Sequence, residues 1–241
     1  MGSKNRIAKY LLPIILKDRK EDQWYVEPFV GGANMIDKVD GLRIGADKNE
    51  FLIEMWKGLQ ENRERPYKIE KELYSKARDF FNKKDYSLFD KFTIGWIGWA
   101  GSYNGRFFDG GYSGHSVGKR DYITEQIKNI EAQINNIKGI NFIASDYQSL
   151  KIPNNSIIYC DIPYKDTKQY LTSKDFNHND FWEWCRIKAK EGHQVFISEY
   201  NAPEDFECIW EMEVTNSMNT TKTYKPTENL TSKNTTCLIL V

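Results

Sequence analysis

Three acidic residues in this 241-residue chain stand where apolar, strand-like runs end. The run Ile157-Ile158-Tyr159-Cys160 stops at Asp161, followed by Ile162, Pro163 and Tyr164. Such a run reads as a buried central strand. In open α/β sheets, chemistry gathers at the carboxyl ends of strands. The Asp161 carboxylate and the Ile162 carbonyl both accept hydrogen bonds. Pro163 stiffens the turn, and Tyr164 offers a flat face. Together they suit a planar aromatic amine, held by two acceptors and stacked on a ring. The same four residues also fit an ordinary turn that closes a strand.

The stretch Trp24 to Met35 contains Glu27-Pro28-Phe29-Val30-Gly31-Gly32. It reads as a short strand, a glycine turn and a helix through about Val39. Glycines there let backbone N–H groups come close to a ligand at a helix N-terminus. The spacing is not G-x-G-x-x-G, so a dinucleotide fingerprint is a poor match. The next strand, Leu42 to Ala46, ends in Asp47. That acid is placed for ribose hydroxyls or for capping a helix from Lys48 to about Leu59. A strand over Ile140–Ala144 leads to Ser145-Asp146-Tyr147, a third acid at a strand end. Any one of these is explained by a cap or a turn. Three with one glycine turn exceed what chance placement gives.

Around these positions the pattern is α/β. A helix over 5–16 is expected, with Asn5 capping it and Pro13 kinking or shortening it. Helix-like runs cover Pro66–Asn82 and the neighbourhood of Ser87–Phe92. Residues 95–115 read as a loop in which glycines, aromatics, Asn104 and Arg106 interleave. Such a loop is either packing or, beside basic residues, a surface for stacking on bases and reading base edges. Ile123, Ile127, Ile130, Ile134 and Ile137 mark a core helix that Gly139 ends. A helix over 179–190 and strands over 194–198, 206–214 and 237–241 complete the pattern, with 215–234 a long polar loop.

Formal net charge is zero, with 40% hydrophobic and 14% aromatic residues, enough for a real core. The charge is unevenly spread. Residues 1–20 hold six Lys/Arg against one Asp, and residues 56–122 hold thirteen against nine Asp/Glu. No apolar run is long enough to span a membrane, and no signal-peptide pattern opens the chain. Cys160, Cys185, Cys208 and Cys237 lack C-x-x-C spacing, which argues for reduced core thiols in a cytoplasmic protein rather than zinc or disulfides. His115, His178 and His193 are too scattered to suggest a metal site.

Glu27-Pro-Phe-Val-Gly-Gly, then Asp47, then Asp146-Tyr147, then Asp161-Ile-Pro-Tyr resembles the Dam-type (D12 class, alpha-group) DNA adenine-N6 methyltransferases, in the feel of bacteriophage or prophage members. The resemblance spans nearly the whole chain. It implies a Rossmann-like class I methyltransferase fold, a mixed, mostly parallel sheet flanked by helices. Residues 1–55 and 136–241 would form the catalytic domain, and 56–135 an inserted, mainly helical target-recognition subdomain. S-adenosylmethionine is the implied cofactor, with no metal, and double-stranded DNA the implied partner. A cognate restriction endonuclease is a further possible partner.

By the same resemblance, Asp161 and the Ile162 carbonyl accept the two N6 hydrogens of a flipped adenine, and Tyr164 stacks on it. Glu27, Pro28, Phe29, Gly31 and Gly32 line the methionine side. Asp47 holds the ribose, and Asp146 with Tyr147 holds the cofactor's adenine. Gly2-Ser3-Lys4 resembles the family's N-terminal glycine-lysine element near the cofactor and catalytic pocket. Tyr103-Asn104-Gly105 resembles a loop that family members place against DNA. Beside it, Arg106 suits guanine, and Lys119 with Arg120 suits phosphate. One departure stands out: Ile162 replaces the family's usual proline but keeps the carbonyl that position contributes. The motif's logic also serves RNA bases or protein glutamine, and Ile162 leaves a non-catalytic DNA-binding methylase fold open.

Overall fold

The computed structural model describes residues 4–114, 121–163, 176–213 and 235–241. Gly2, Ser3, His115, Lys119, Arg120, Tyr164 and the span 215–234 lie outside them. Among the described residues, seven strands form one sheet in the order β3-β2-β1-β4-β5-β7-β6. The strands are β1 (Tyr25–Glu27), β2 (Arg43–Asp47), β3 (Asn141–Ala144), β4 (Ile157–Asp161), β5 (Gln194–Glu199), β6 (Glu207–Glu213) and β7 (Thr235–Leu240). The first five run parallel, and β7 runs antiparallel between β5 and β6. The fold is the expected Rossmann-like, mixed and mostly parallel sheet. Its strand order reverses between β1 and β4, the kind of point where open α/β sheets leave a crevice for ligand.

Among the described residues six helices accompany it: α1 (Ala8–Ile15), α2 (Glu50–Gln60), α3 (Lys71–Lys83), α4 (Lys91–Gly101), α5 (Tyr122–Glu131) and α6 (His178–Lys190). The central strands are apolar on both faces because both are covered. In β4, Ile157 and Tyr159 join the core shared with α1, α2, α4 and α5, whereas Ile158 and Cys160 face the core around Phe181 and Trp184 of α6. Ile162 continues the second face and is almost fully buried.

Several expectations need correction. Asn5 does not cap α1; it lies in a 3-10 turn, Lys4–Arg6, closed by the Ile7 N–H on the Lys4 carbonyl at 3.0 Å. No helix runs to Val39. Positive φ at Gly31 (+45°) and Ala33 (+52°) interrupts the chain, and only one 3-10 turn, Ile36–Lys38, forms. The cap of α2 is Asn49, whose side chain accepts from the N–H groups of Phe51 and Leu52; Asp47 is not the cap. Residues 66–70 stay out of α3 because Trp96 Nε1–H and Tyr112 O–H take the Pro66 and Ile69 carbonyls, at 2.8 and 2.9 Å. α5 stops at Glu131, eight residues before Gly139. Beyond it the turns tighten, and Arg43 draws the Asn136 and Lys138 carbonyls at 2.8 and 2.7 Å. Cys160 and Cys185 are buried as expected, but Cys208 is exposed.

The largest correction concerns 95–101. It is not loop but the body of α4, capped by Asp90 and buried along most of its length. Glycines cost helix propensity, yet here they let two backbones meet. A Cβ on Gly95 would collide with the Phe51 carbonyl of α2, and one on Gly58 of α2 with the ring of Phe92. The true loop, 102–112, is closed by a bridge between Ser102 and Tyr112. Buried Ser102 Oγ accepts the Phe108 N–H at 2.9 Å and lies 3.1 Å from Tyr74 Oη.

Candidate active site at the switch point of the sheet

β1 and β4, the strands on either side of the reversal, end in Glu27 and Asp161. Asp161 keeps a third of its side chain exposed. Its Oδ1 accepts from Lys4 Nζ at 2.7 Å, and Lys4 is only 7% exposed. The 3-10 turn before α1 therefore delivers a buried cation to the acid at the head of β4. Lys4, expected near the cofactor and catalytic pocket, lies against Asp161. Glu27 is buried, and its Oε1 accepts from the Tyr25 hydroxyl at 2.9 Å. Burial first, then the negative charges of Asp161 and Asp37, hold the Glu27 carboxyl well above the usual carboxylate range against the Tyr25 hydrogen bond.

The glycine turn sits beside these acids. The Gly31 N–H donates to Asp47 Oδ2 at 3.2 Å, and the Asn49 N–H donates to Oδ1 at 2.9 Å. Burial raises the Asp47 carboxyl, and those two bonds oppose the rise. The Gly31 carbonyl accepts Trp56 Nε1–H at 3.0 Å, and Gln133 Nε2 donates to the Gly32 carbonyl at 3.1 Å. A Cβ on Gly32 would come within 2.7 Å of Asn34 Nδ2 and 3.2 Å of the Trp99 ring, so a side chain there would press on both. Pro28, just before it, is buried.

Asp146 follows β3, next to Asp47: the Ser145 N–H donates to the Asp47 carbonyl at 3.0 Å. Asp146 Oδ1 accepts the Gln148 N–H at 3.0 Å, and Lys48 Nζ lies 3.8 Å from Oδ2. Tyr147 turns inward among Phe29, Phe176, Phe181 and Trp184, with ring centroids 5.3 to 5.9 Å away. Burial pushes its phenol up to about 12. Phe29 belongs to the same aromatic cluster.

The structure thus gathers Lys4, Glu27 and Asp161 at one place, and Gly31, Gly32, Asp47 and Asp146 beside it. It also adds residues that sequence reasoning passed over. Buried Glu199 ends β5, next in the sheet to β4, and its Oε1 accepts the Tyr200 N–H at 2.8 Å. Tyr200 lies in the field of Lys4, Glu199 and Asp161, and burial is the main cause of its raised phenol pKa. A fourth acid closing an apolar run was the signal available for this pair. His178 Nε2 lies 3.0 Å from the Pro163 carbonyl. A carbonyl only accepts, so the proton sits on Nε2.

The loop 102–112 stands apart. Tyr103 is 46% exposed, in a 3-10 turn with Asn104 and Gly105. Arg106 bonds Asp109 within the same loop at 2.6 Å. Phe107 and Phe108 pack against Phe81. Trp99 touches both regions, since a Cβ on Gly105 would lie 3.6 Å from the ring that also bounds Gly32. Among the described residues no group of three or more His, Cys, Asp or Glu side chains is arranged to hold a metal, and no helix is long and apolar enough to cross a membrane.

Compared with known proteins, residues 1–234 match the model of the D12 class N6 adenine-specific DNA methyltransferases. The chain belongs to that family. As a D12-class chain, it carries the acid of its Asp-Ile-Pro motif at the carboxyl end of β4, beside the point where the strand order reverses. No curated protein matches it significantly. Among solved structures it is similar to an rRNA methyltransferase, aviRa, from Streptomyces viridochromogenes, at 7% identity and a TM-score of 0.40, over 98% of this chain and 83% of that one.

Proposed function

We propose that the protein moves a methyl group from S-adenosylmethionine to the exocyclic nitrogen of an adenine flipped out of duplex DNA. The observation that carries this reading is the part-open carboxylate of Asp161 at the switch point, one strand away from Glu27 and the glycine turn. The residues present fit the cofactor. A tight glycine turn, the buried Glu27 and two strand-end acids suit a nucleoside with hydroxyls and a cationic tail. Glu27 with Gly31 and Gly32 would take the methionyl end, Asp47 the ribose, and Asp146 with Tyr147 the adenine ring. When bound, the cofactor supplies an electrophilic methyl on a sulfonium.

The rest falls to this chain's own groups. Asp161 and the Ile162 carbonyl would accept the two N6–H bonds and turn the nitrogen's lone pair toward the methyl. The paired amino group must leave the stack to be reached. Positioning and fixed dipoles then supply the rate. Ile162 supports activity, because its side chain is packed in the core and only its backbone is asked to act. Residues 56–135 form the target-recognition part in this reading. Tyr103, Asn104, Gly105 and Arg106 approach the bases, and Lys119 with Arg120 approach the phosphates.

The test is transfer of labelled methyl from S-adenosylmethionine to duplex DNA, RNA and protein in parallel, with methylation-aware sequencing to locate the site. Label on N6 of adenine in duplex DNA is expected. Label confined to RNA or protein, or binding of DNA with no transfer, overturns the reading.

A further inference from the structure

We propose that Lys4 reads the target base directly, donating a hydrogen bond to the ring nitrogen that flanks the amino group. The proposal rests on the reading of Asp161 given above. An aminopurine edge presents a donor beside an acceptor: the amino N–H, then a ring-nitrogen lone pair. The Asp161–Lys4 pair presents the complement, an acceptor and a donor 2.7 Å apart. Lys4 Nζ carries three donors on one atom, so its bond to Asp161 is compatible with a second bond to a base. A base whose ring nitrogen carries a proton beside the amino or oxo group would meet the ammonium N–H to N–H.

The local build supports this placement. A buried ammonium is costly to hold unless it is paired, and the 3-10 turn puts Lys4 at the part-open acid that ends β4. Leu11, Leu12 and Ile15 anchor the following helix in the core, which fixes the turn. Tyr200, just past the end of the neighbouring strand β5, lies in the field of both partners. The competing role is simple neutralisation of Asp161, in which Lys4 never touches the base.

The experiment compares the wild type and Lys4→Met in single-turnover methylation, once sequencing has given the target site. The duplexes carry adenine, 1-deazaadenine or 7-deazaadenine at the target, each deaza analogue removing one flanking ring nitrogen. For the wild type, the analogue lacking the contacted nitrogen should react about 10–100-fold more slowly, the span of a hydrogen bond to a charged group. Lys4→Met should lose a similar factor on adenine and show no further loss on that analogue. Equal losses for Lys4→Met on all three duplexes overturn the proposal, because neutralisation alone would give that pattern. If Lys4→Met does not melt cooperatively, Lys4→Arg keeps a donor. Retained discrimination between adenine and the analogue supports the proposal, and its disappearance overturns it. Asp161→Ala is run alongside: if it still methylates adenine, the parent reading fails independently of Lys4.

Discussion

The carboxyl edge of the sheet and the segment 91–112 are both rich in suggestive residues, and they use them differently. At the sheet edge, Asp161, Asp47 and Asp146 are each held by one to three contacts and remain partly open. In 91–112, Trp96, Phe108 and Ser102 are buried, and Arg106 is turned onto Asp109. A charge at the end of a buried strand keeps its remaining acceptor capacity on the sheet edge, even where it also braces a turn, as Asp47 braces Gly31 and Asn49. Glycines mixed with aromatics have two uses, and close helix packing is one of them.

Asp161→Ala is the strongest way to break this contrast. Turnover should fall by at least about 100–1000-fold, as when a transition-state hydrogen-bonding group is lost, while cofactor affinity changes far less. Near wild-type methyl transfer would make the strand-end acid a bystander. On the other side, Gly95→Val should destabilise the fold by about 3 kcal/mol, the upper end for overpacking, because the new side chain meets the Phe51 carbonyl. Denaturant melts check it, and an unchanged midpoint would return 95–101 to the loop reading.

Tyr103→Ala sharpens the line within the insert. Its ring is nearly half exposed, so the melting temperature should hold. If it stacks on a base, KM for duplex DNA should rise about tenfold or more, since stacking is worth about 1–3 kcal/mol per base. Arg106→Ala, by contrast, breaks the bond to Asp109 and should relax the choice between cognate and scrambled duplexes by about 1–3 kcal/mol, the worth of a bidentate base contact; equal losses on both duplexes would make Arg106 a phosphate anchor or a brace of its own loop. Asp47→Ala should weaken cofactor binding about tenfold by calorimetry and leave DNA affinity unchanged, the scale of one or two ordinary hydrogen bonds.

The smallest effect concerns pH. The Glu27 carboxyl lies well above its ordinary value in the folded chain, so the folded state holds that proton more tightly than the unfolded state. Its contribution to stability is fully present below the ordinary value and declines as pH rises from there toward the folded value. Glu27→Gln keeps an acceptor for the Tyr25 hydroxyl. It should raise Tm at about pH 7 and leave it unchanged at about pH 4. A gain of the same size at both pH values would remove the buried charge as its cause.

Much of the sheet was legible because a parallel strand covered on both faces is an unbroken apolar run. The expected ends at Asp47 and Asp161 are the observed ends of β2 and β4. The helices were less legible where side chains from elsewhere claim backbone groups. Trp96 and Tyr112 hold 66–70 out of α3, and Arg43 unwinds the chain after α5. The ion pair between Lys4 and Asp161 joins residues 157 positions apart, and no local pattern encodes such a contact. Glu199 had the same signature as the other strand-end acids, but no motif drew attention to it.

The contact between Gly95 and the Phe51 carbonyl bears on modularity. Residues 56–135, proposed above as the recognition part, begin inside α2, whose Trp56 also stacks on Phe142 of β3. A graft that exchanges 56–135 between relatives would split α2 and join its first turns, with Phe51, from one parent to α4 from another across a seam with no room for a methyl group. Grafts cut before Glu50 keep the two helices as one inherited pair. The unit of exchange in this chain is therefore set by which helices touch through their backbones, and α2 travels with α4.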